Sequence, residues 1–435
     1  MRPAHRAAFV AYRRGRRFRR RAASWSDDRR RAWILHRLRT ITRRAWRESP
    51  YYRELFDDVG FDPNEEFGFD DFAGLPALER QTIHDAGDRM LSNAVPRSEL
   101  RRDATGGSTG EPVAVWKGPL ERGWSESGGE HYLARVGVPP GSRRALLWGH
   151  HLDPVGSERL LDRFRTLVVN ARWFDCFRLS PEIIRRHHAE MEAWRPWCII
   201  AYAGALGRFA EALEDWGIEP SYPGRGLVTG AEKLLPEHRA VIERRFQRRV
   251  HERYGSREVG LVAFQVELDP VPVYEVDWSN VLVEPESDAV DAPILVTKLH
   301  ADGMPMLRYR IGDVARFPDH DRPGHPSLRL LDVRGRELDR IWLAPDRWID
   351  AIEFPHLMKD HPVRNFQVVQ NADLTVSIRL VPADGFDEQD RRRILETVRS
   401  NLPNLDVDLE LRREIPTTAS GKRRPVISHV EWTDR

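Results

Sequence analysis

A chain of 435 residues is longer than one ordinary hydrophobic core accommodates, so two or three domains are expected. With 40% hydrophobic and 31% charged residues it reads as globular with a well-solvated surface, and a net charge of +2 argues against a globally basic nucleic-acid binder. No run of 18 apolar residues is present to span a membrane, and two cysteines, Cys176 and Cys198, cannot build a cysteine-rich zinc site and fit a reducing, cytoplasmic compartment.

Arg13, Arg14, Arg16, Arg17, Arg19, Arg20 and Arg21 crowd the N-terminus. Without interleaved aromatics beyond Phe18 they read as a solvated helical face or a frayed arm rather than a base-stacking platform. The apolar stretch Ala7–Ala11 is too short for a signal-peptide core and precedes most of the arginines. A helix is predicted over 27–56, with Ile34, Leu38, Ile41 and Ala45 at helical spacing and a kink at Ser49-Pro50. Between 145 and 254, short apolar runs alternate with amphipathic stretches. Ser180-Pro181-Glu182 starts a helix that turns Ile183, Ile184, His187 and Met191 inward. Trp197–Ile200 reads as a buried strand, 206–216 as a helix stopped by Gly217, Gly226–Thr229 as a strand and 236–246 as a helix. That alternation implies a parallel sheet, hence an α/β class for the bulk of the chain.

After Tyr254 the texture becomes β-rich, with strands at 281–283, 294–296 and 307–311 separated by Pro, Gly and Asp turns. Beyond Gly335 a separate α+β module is predicted, with strands at 366–369 and 374–381, a helix at 388–400 and a strand at 407–411. The organisation expected is a large N-terminal domain over 1–334, with a helical arm over about 1–60, and a small mobile C-terminal domain over 335–435.

Four segments carry the polar chemistry. In the first, Thr105, Gly106, Gly107, Ser108, Thr109 and Gly110 offer hydroxyls and unhindered backbone N–H groups to a polyphosphate. It is not the common P-loop, since Glu111-Pro112 stands where Lys-Ser/Thr would follow, so its cation must come from elsewhere. The second, Tyr254-Gly255-Ser256-Arg257-Glu258, follows a predicted strand and supplies a flat ring for a base and a carboxylate for a hard cation. In the third, 308–313, Asp313 is placed at a strand–turn junction where it can accept ribose hydroxyls. The fourth, 416–422, presents Lys422 on a Ser-Gly loop.

In this order, with Gly335-Arg336 between the third and fourth, the segments resemble the AMP-forming adenylating superfamily, and within it the phenylacetate–CoA ligase branch with its capsule and natural-product relatives. The resemblance runs from about Ser49 to Val426. It implies ATP, Mg²⁺ and coenzyme A as the small molecules used, with no zinc. Thr105–Gly110 would cradle the ATP phosphates, Thr229, Gly230, Ala231 and Glu232 border the adenine, Tyr254 pack on it and Glu258 bind Mg²⁺. Asp313 and Arg336 would hold the ribose, and Lys422 reach the carboxylate and α-phosphate. The acyl pocket would be walled by Trp148, His150, Tyr202 and Gly204.

The pattern departs from the family at the hinge, where Leu338 replaces the first of two aspartates and only Asp339 matches, and in 342–349, which lacks the usual glycine. The acceptor therefore stays open between coenzyme A and an amine, a hydroxyl or a carrier-protein thiol. Two further readings are a non-catalytic nucleotide-binding scaffold and nucleic-acid binding through the N-terminal arginines. The sequence leaves the oligomeric state open.

Overall fold

The computed structural model describes residues 3–104, 113–148, 170–176, 179–336, 340–344, 347–350, 354, 358, 361–383, 385–402, 405–415 and 426–430. The chain divides into two compact units, one of Met1–Ile311 with Ala315–Val333, the other of Arg334–Arg435 with Gly312–Val314.

The first unit begins with the helix Pro3–Ala22, which carries the arginine run and packs along the helix Pro119–Arg135. It is not a frayed arm, because Arg19 is buried and its guanidinium takes both oxygens of Asp277 at 3.1 and 3.0 Å. The helix predicted over 27–56 is two, Asp27–Glu48 and Pro50–Asp58. Ser49 separates them, and Ile34, Leu38, Ile41 and Ala45 are all buried as their spacing requires.

A hairpin of β1 (Arg101–Ala104) and β2 (Ala114–Lys117), paired Ala104 to Ala114, brackets the glycine-rich segment. The central sheet follows. β3 (Arg144–Trp148), β4 (Ala171–Asp175), β5 (Cys198–Tyr202), β6 (Gly226–Gly230) and β7 (Val250–Ser256) run parallel in the spatial order β4-β3-β5-β6-β7. The helices between them start and stop where local chemistry dictates. Ser180 Oγ accepts from the N–H of Ile183 to open Pro181–Trp194. Gly217, at φ +65°, closes Ala203–Asp215 as its N–H and that of Ile218 bond back to the carbonyls of Glu214 and Leu213. Trp197, expected within the strand, lies just outside β5 and is exposed, and Ile183, expected inward, is only half-buried.

β8 (Gly260–Gln265) and β9 (Tyr274–Val276) extend the sheet antiparallel beyond β7. β10 (Val281–Pro285), β11 (Asp291–Lys298) and β12 (Tyr309–Arg316) start a second sheet. β13 (Arg329–Leu330) pairs with β9, and β14 (Asp332–Arg336) lies next to β12. Ala145, Leu147, Ile199, Ala201 and Leu227 pack one face of the central sheet into a core with the helices Ala203–Asp215 and Pro236–Phe246. Cys198, Ile200 and Val228 on the other face join Tyr132 and Leu133 of the helix Pro119–Arg135.

In the second unit, β15 (Arg340–Ala344) and β16 (Arg347–Asp350) form a hairpin. β17 (Val363–Gln370), β18 (Val376–Pro382), β19 (Val407–Leu411) and β20 (Val426–Ser428) make a sheet of order β19-β18-β17-β20. Ile394 and Val398 of the helix Glu388–Asn401 share a buried core with Ile378, Leu380 and Leu409. The fold is thus mixed α/β, with a largely parallel sheet, an antiparallel β-rich part and a C-terminal α+β region. No described helix is long and apolar enough to cross a membrane.

Candidate active site

At the carboxyl ends of β3, β5, β6 and β7, where open α/β sheets take ligands, two groups of sequence-predicted residues come together. Every residue of β6 is buried. At its end Gly230 faces β7, where an added Cβ would stand 2.9 Å from Arg253 Cγ and 3.0 Å from its carbonyl oxygen, so only glycine fits. Ala231 follows at φ +68°, and Glu232 Oε2 accepts from the Gly204 N–H at 3.1 Å. The segment predicted to border a base is thereby tied to the segment predicted to wall an acyl pocket. In that wall the rings of Tyr202 and Trp148 meet edge-on with centroids 4.3 Å apart, and the guanidinium of Arg253 lies 4.8 Å from a Trp148 ring centroid. Burial pushes the Tyr202 phenol up to about 12.

The second group joins the hairpin that carries the glycine-rich segment to the turn after β7. Tyr254 lies within β7 rather than beyond it, half-buried against the core, because β7 runs on to pair with β8. Lys117, at the end of β2, donates from Nζ to Asp103 Oδ2 at 2.9 Å and to the Arg257 carbonyl at 2.6 Å. Burial works against ionisation of Asp103, but the Lys117 ammonium outweighs it and holds the carboxyl below its usual range. Next to Arg257, Glu258 is 5% exposed, with the Arg80 guanidinium 3.8 Å from Oε1. Its carbonyl accepts from Lys298 Nζ at 3.3 Å, and Lys298 in turn pairs with the buried carboxylate of Glu121. Burial pushes Glu121 up and Lys298 down, while their mutual attraction opposes both shifts. Asp302 caps the helix bearing Glu121, accepting from the N–H groups of Leu120 and Glu121 at 2.9 and 3.0 Å.

Asp313 lies inside β12 rather than at a strand–turn junction, and Arg336 ends β14; both belong to the second unit. Thr105, Gly106, Gly107, Ser108, Thr109, Gly110, His150 and Lys422 lie outside the described residues. Sequence reasoning missed Lys117, Lys298 and Arg253. For Lys298 a signal existed, a cation two residues after the apolar run Ile294–Val296. Among the described residues no cluster of three or more His, Cys, Asp or Glu side chains is poised for a metal. A buried carboxylate such as that of Glu258 is of the kind a magnesium ion takes, one or two from protein with its other ligands drawn from phosphates and water.

A model of the CapK C-terminal domain matches residues 343–429. Protein CapK of Staphylococcus aureus is 19% identical over 367 residues, covering 82% of this chain and 80% of the relative. Phenylacetate-coenzyme A ligase of Pseudomonas putida is 22% identical over 420 residues, covering 91% and 85%. Among solved structures, 2-hydroxyisobutyryl-CoA ligase in the postadenylation state superposes with a TM-score of 0.72 at 18% identity, covering 93% of this chain and 90% of that one, a likeness of fold. The chain thus carries a match to the CapK C-terminal domain, is similar over most of its length to CapK and phenylacetate–CoA ligases, and shares the fold of an acyl-CoA ligase.

Proposed function

We propose that this protein activates a small carboxylic acid with ATP, releasing pyrophosphate, and passes the acyl group from the adenylate to the thiol of coenzyme A. The observation that carries the reading is the double hydrogen bond of Lys117, which fixes the base of the glycine-rich hairpin against the Arg257–Glu258 turn. A carboxylate is a poor acyl donor because its leaving group would be oxide. When a carboxylate oxygen attacks the α-phosphorus, the bond from that phosphorus to the bridging oxygen breaks and pyrophosphate leaves. The leaving group on the acyl carbon is then AMP. The thiol sulfur displaces it, the acyl–oxygen bond breaks and the thiol proton is lost to solvent.

Two anions must meet in the first step, so positioning and charge neutralisation are the protein's main contributions. In this reading Thr105–Gly110 hold the phosphates, Thr229–Glu232 border the adenine and Tyr254 packs on it. Asp313 and Arg336 hold the ribose, and Lys422, on a mobile C-terminal lid, meets the carboxylate and α-phosphate. Glu258 is the ligand for Mg²⁺, which when bound neutralises phosphate charge. The pairs Lys117–Asp103 and Lys298–Glu121 support the reading by fixing the base of the β1–β2 hairpin and the turn after β7.

Pyrophosphate exchange across a panel of aryl and short-chain acids tests the first half-reaction. Hydroxylamine trapping, with and without coenzyme A, tests the second. Exchange with at least one acid and thioester formation are expected. Absence of exchange together with no heat on titrating ATP refutes the ligase reading. Exchange without thioester, with capture by amines alone, moves the acceptor to an amine.

A further inference from the structure

We infer that the acyl pocket is built for an acid bearing a second anionic group, a dicarboxylate class of substrate, with Arg253 as the counter-ion of its distal end. The inference rests on the ligase reading above and specifies its substrate.

Side chains alternate along β7. Glu252 turns to the helix side, where it takes Arg239 at 3.0 Å and the Leu234 N–H at 3.1 Å. Arg253 turns to the opposite face, against Trp148 and beside Tyr202, Cys198 and Gly230. The absent Cβ of Gly230 leaves room for its stem. Four other well-packed arginines of this unit have acids in place: Arg19 has Asp277, Arg144 has Glu130, Arg239 has Glu252 and Arg308 has Glu284, while Arg37 bonds the Leu299 carbonyl and the His300 ring. Among the described residues, Arg253 has neither a carboxylate at ion-pair distance nor a hydrogen-bond acceptor, and only the Trp148 face meets its charge.

Its neighbours do not cancel that charge. Burial pushes the Cys198 thiol and the Tyr202 phenol each up to about 12, so both stay neutral near pH 7. Burial also disfavours the charged guanidinium itself. A cation kept partly out of water without an acid is costly, and an incoming anion offsets that cost. The position suits a substrate's far end, because Arg253 stands on the Trp148–Tyr202 wall.

The test is pyrophosphate exchange with matched acids, butyrate against glutarate and phenylacetate against its carboxy-substituted analogue. Wild-type protein should favour the diacid by about 10- to 100-fold in kcat/KM, the range of a charge-assisted hydrogen bond. Arg253→Met, which keeps the apolar stem, should reverse the preference, and Arg253→Lys, which keeps the charge, should retain part of it. A wild-type preference for the monoacids, or a ratio unchanged in Arg253→Met, overturns the assignment and leaves the ligase reading standing. Failure of every acid, with no heat from ATP, overturns both.

Discussion

Replacing Lys117 with Met removes two hydrogen bonds at the base of the glycine-rich hairpin while keeping the length of the stem. Among the described residues, Asp103 is then left in a half-buried setting with Arg101, 3.4 Å away and itself exposed, as its remaining partner. A hydrogen bond to a charged group contributes about 1.5–3 kcal/mol, and partial exposure of this pair puts the loss near the lower end, about 2 kcal/mol. The pH dependence follows from Asp103. Its folded carboxyl titrates below the ordinary 3.8, so its contribution is complete above that value and fades as pH falls through the folded value. Urea unfolding followed by tryptophan fluorescence should show the deficit at pH 7 and a narrowing gap between wild type and variant below about pH 4. Because the same lysine holds the Arg257 carbonyl, ATP should bind roughly tenfold more weakly by calorimetry. Equal midpoints and equal ATP affinity at pH 7 would refute the argument. A stability loss with unchanged affinity would show that the hairpin and the turn do not act together on nucleotide.

Arg19→Met should destabilise by about 3–5 kcal/mol in chemical unfolding, because it strands the buried Asp277 carboxylate, and adding Asp277→Leu should recover most of the loss. His300 is buried, stacked on Trp124, and held neutral by burial, with Nε2 donating to the Ser279 carbonyl and Nδ1 accepting from Arg37. Its folded pKa lies well below 6.5, so the unfolded chain takes the proton first and stability should drop as pH falls below 6.5. His300→Gln should flatten that drop in a urea-midpoint series. Cys176 and Cys198 are buried with thiols pushed up to about 12, and labelling at pH 8 should reach neither until the protein is unfolded. Lys422→Ala should slow acid-dependent pyrophosphate release by about 10²–10³-fold while ATP still gives heat. Wild-type release rates would remove that lysine from the proposed mechanism.

Local chemistry made much of this architecture readable in advance. Ser180-Pro181, Gly217 and Pro236 are start and stop signals that act within a few residues, and the helices obey them. Apolar runs such as Ile199–Ile200 and Val281–Val283 become buried strands because both faces of their sheets are covered. What could not be read locally was the choice of distant partner. Nothing near Arg19 distinguishes it from Arg20, yet one sits against an aspartate 258 positions away and the other faces water. Lys298, Glu121 and Asp302 likewise converge only once helix and sheet are assembled. At the site, glycine and hydroxyl patterns announce where a ligand could lie, whereas the cation count there depends on pairings such as Lys117–Asp103 and on the lack, among the described residues, of an acid at Arg253.

The bond from the Gly204 amide to Glu232 bears on any attempt to retool this protein for a new acid. A donor loop over 202–206 that shifts the backbone or places proline at 204 would orphan the Glu232 carboxylate, and replacing Glu232 alone would leave the 204 amide without that acceptor. The two stretches form one transplantable cassette, so altered acid choice is expected to arise by paired exchanges rather than by single steps.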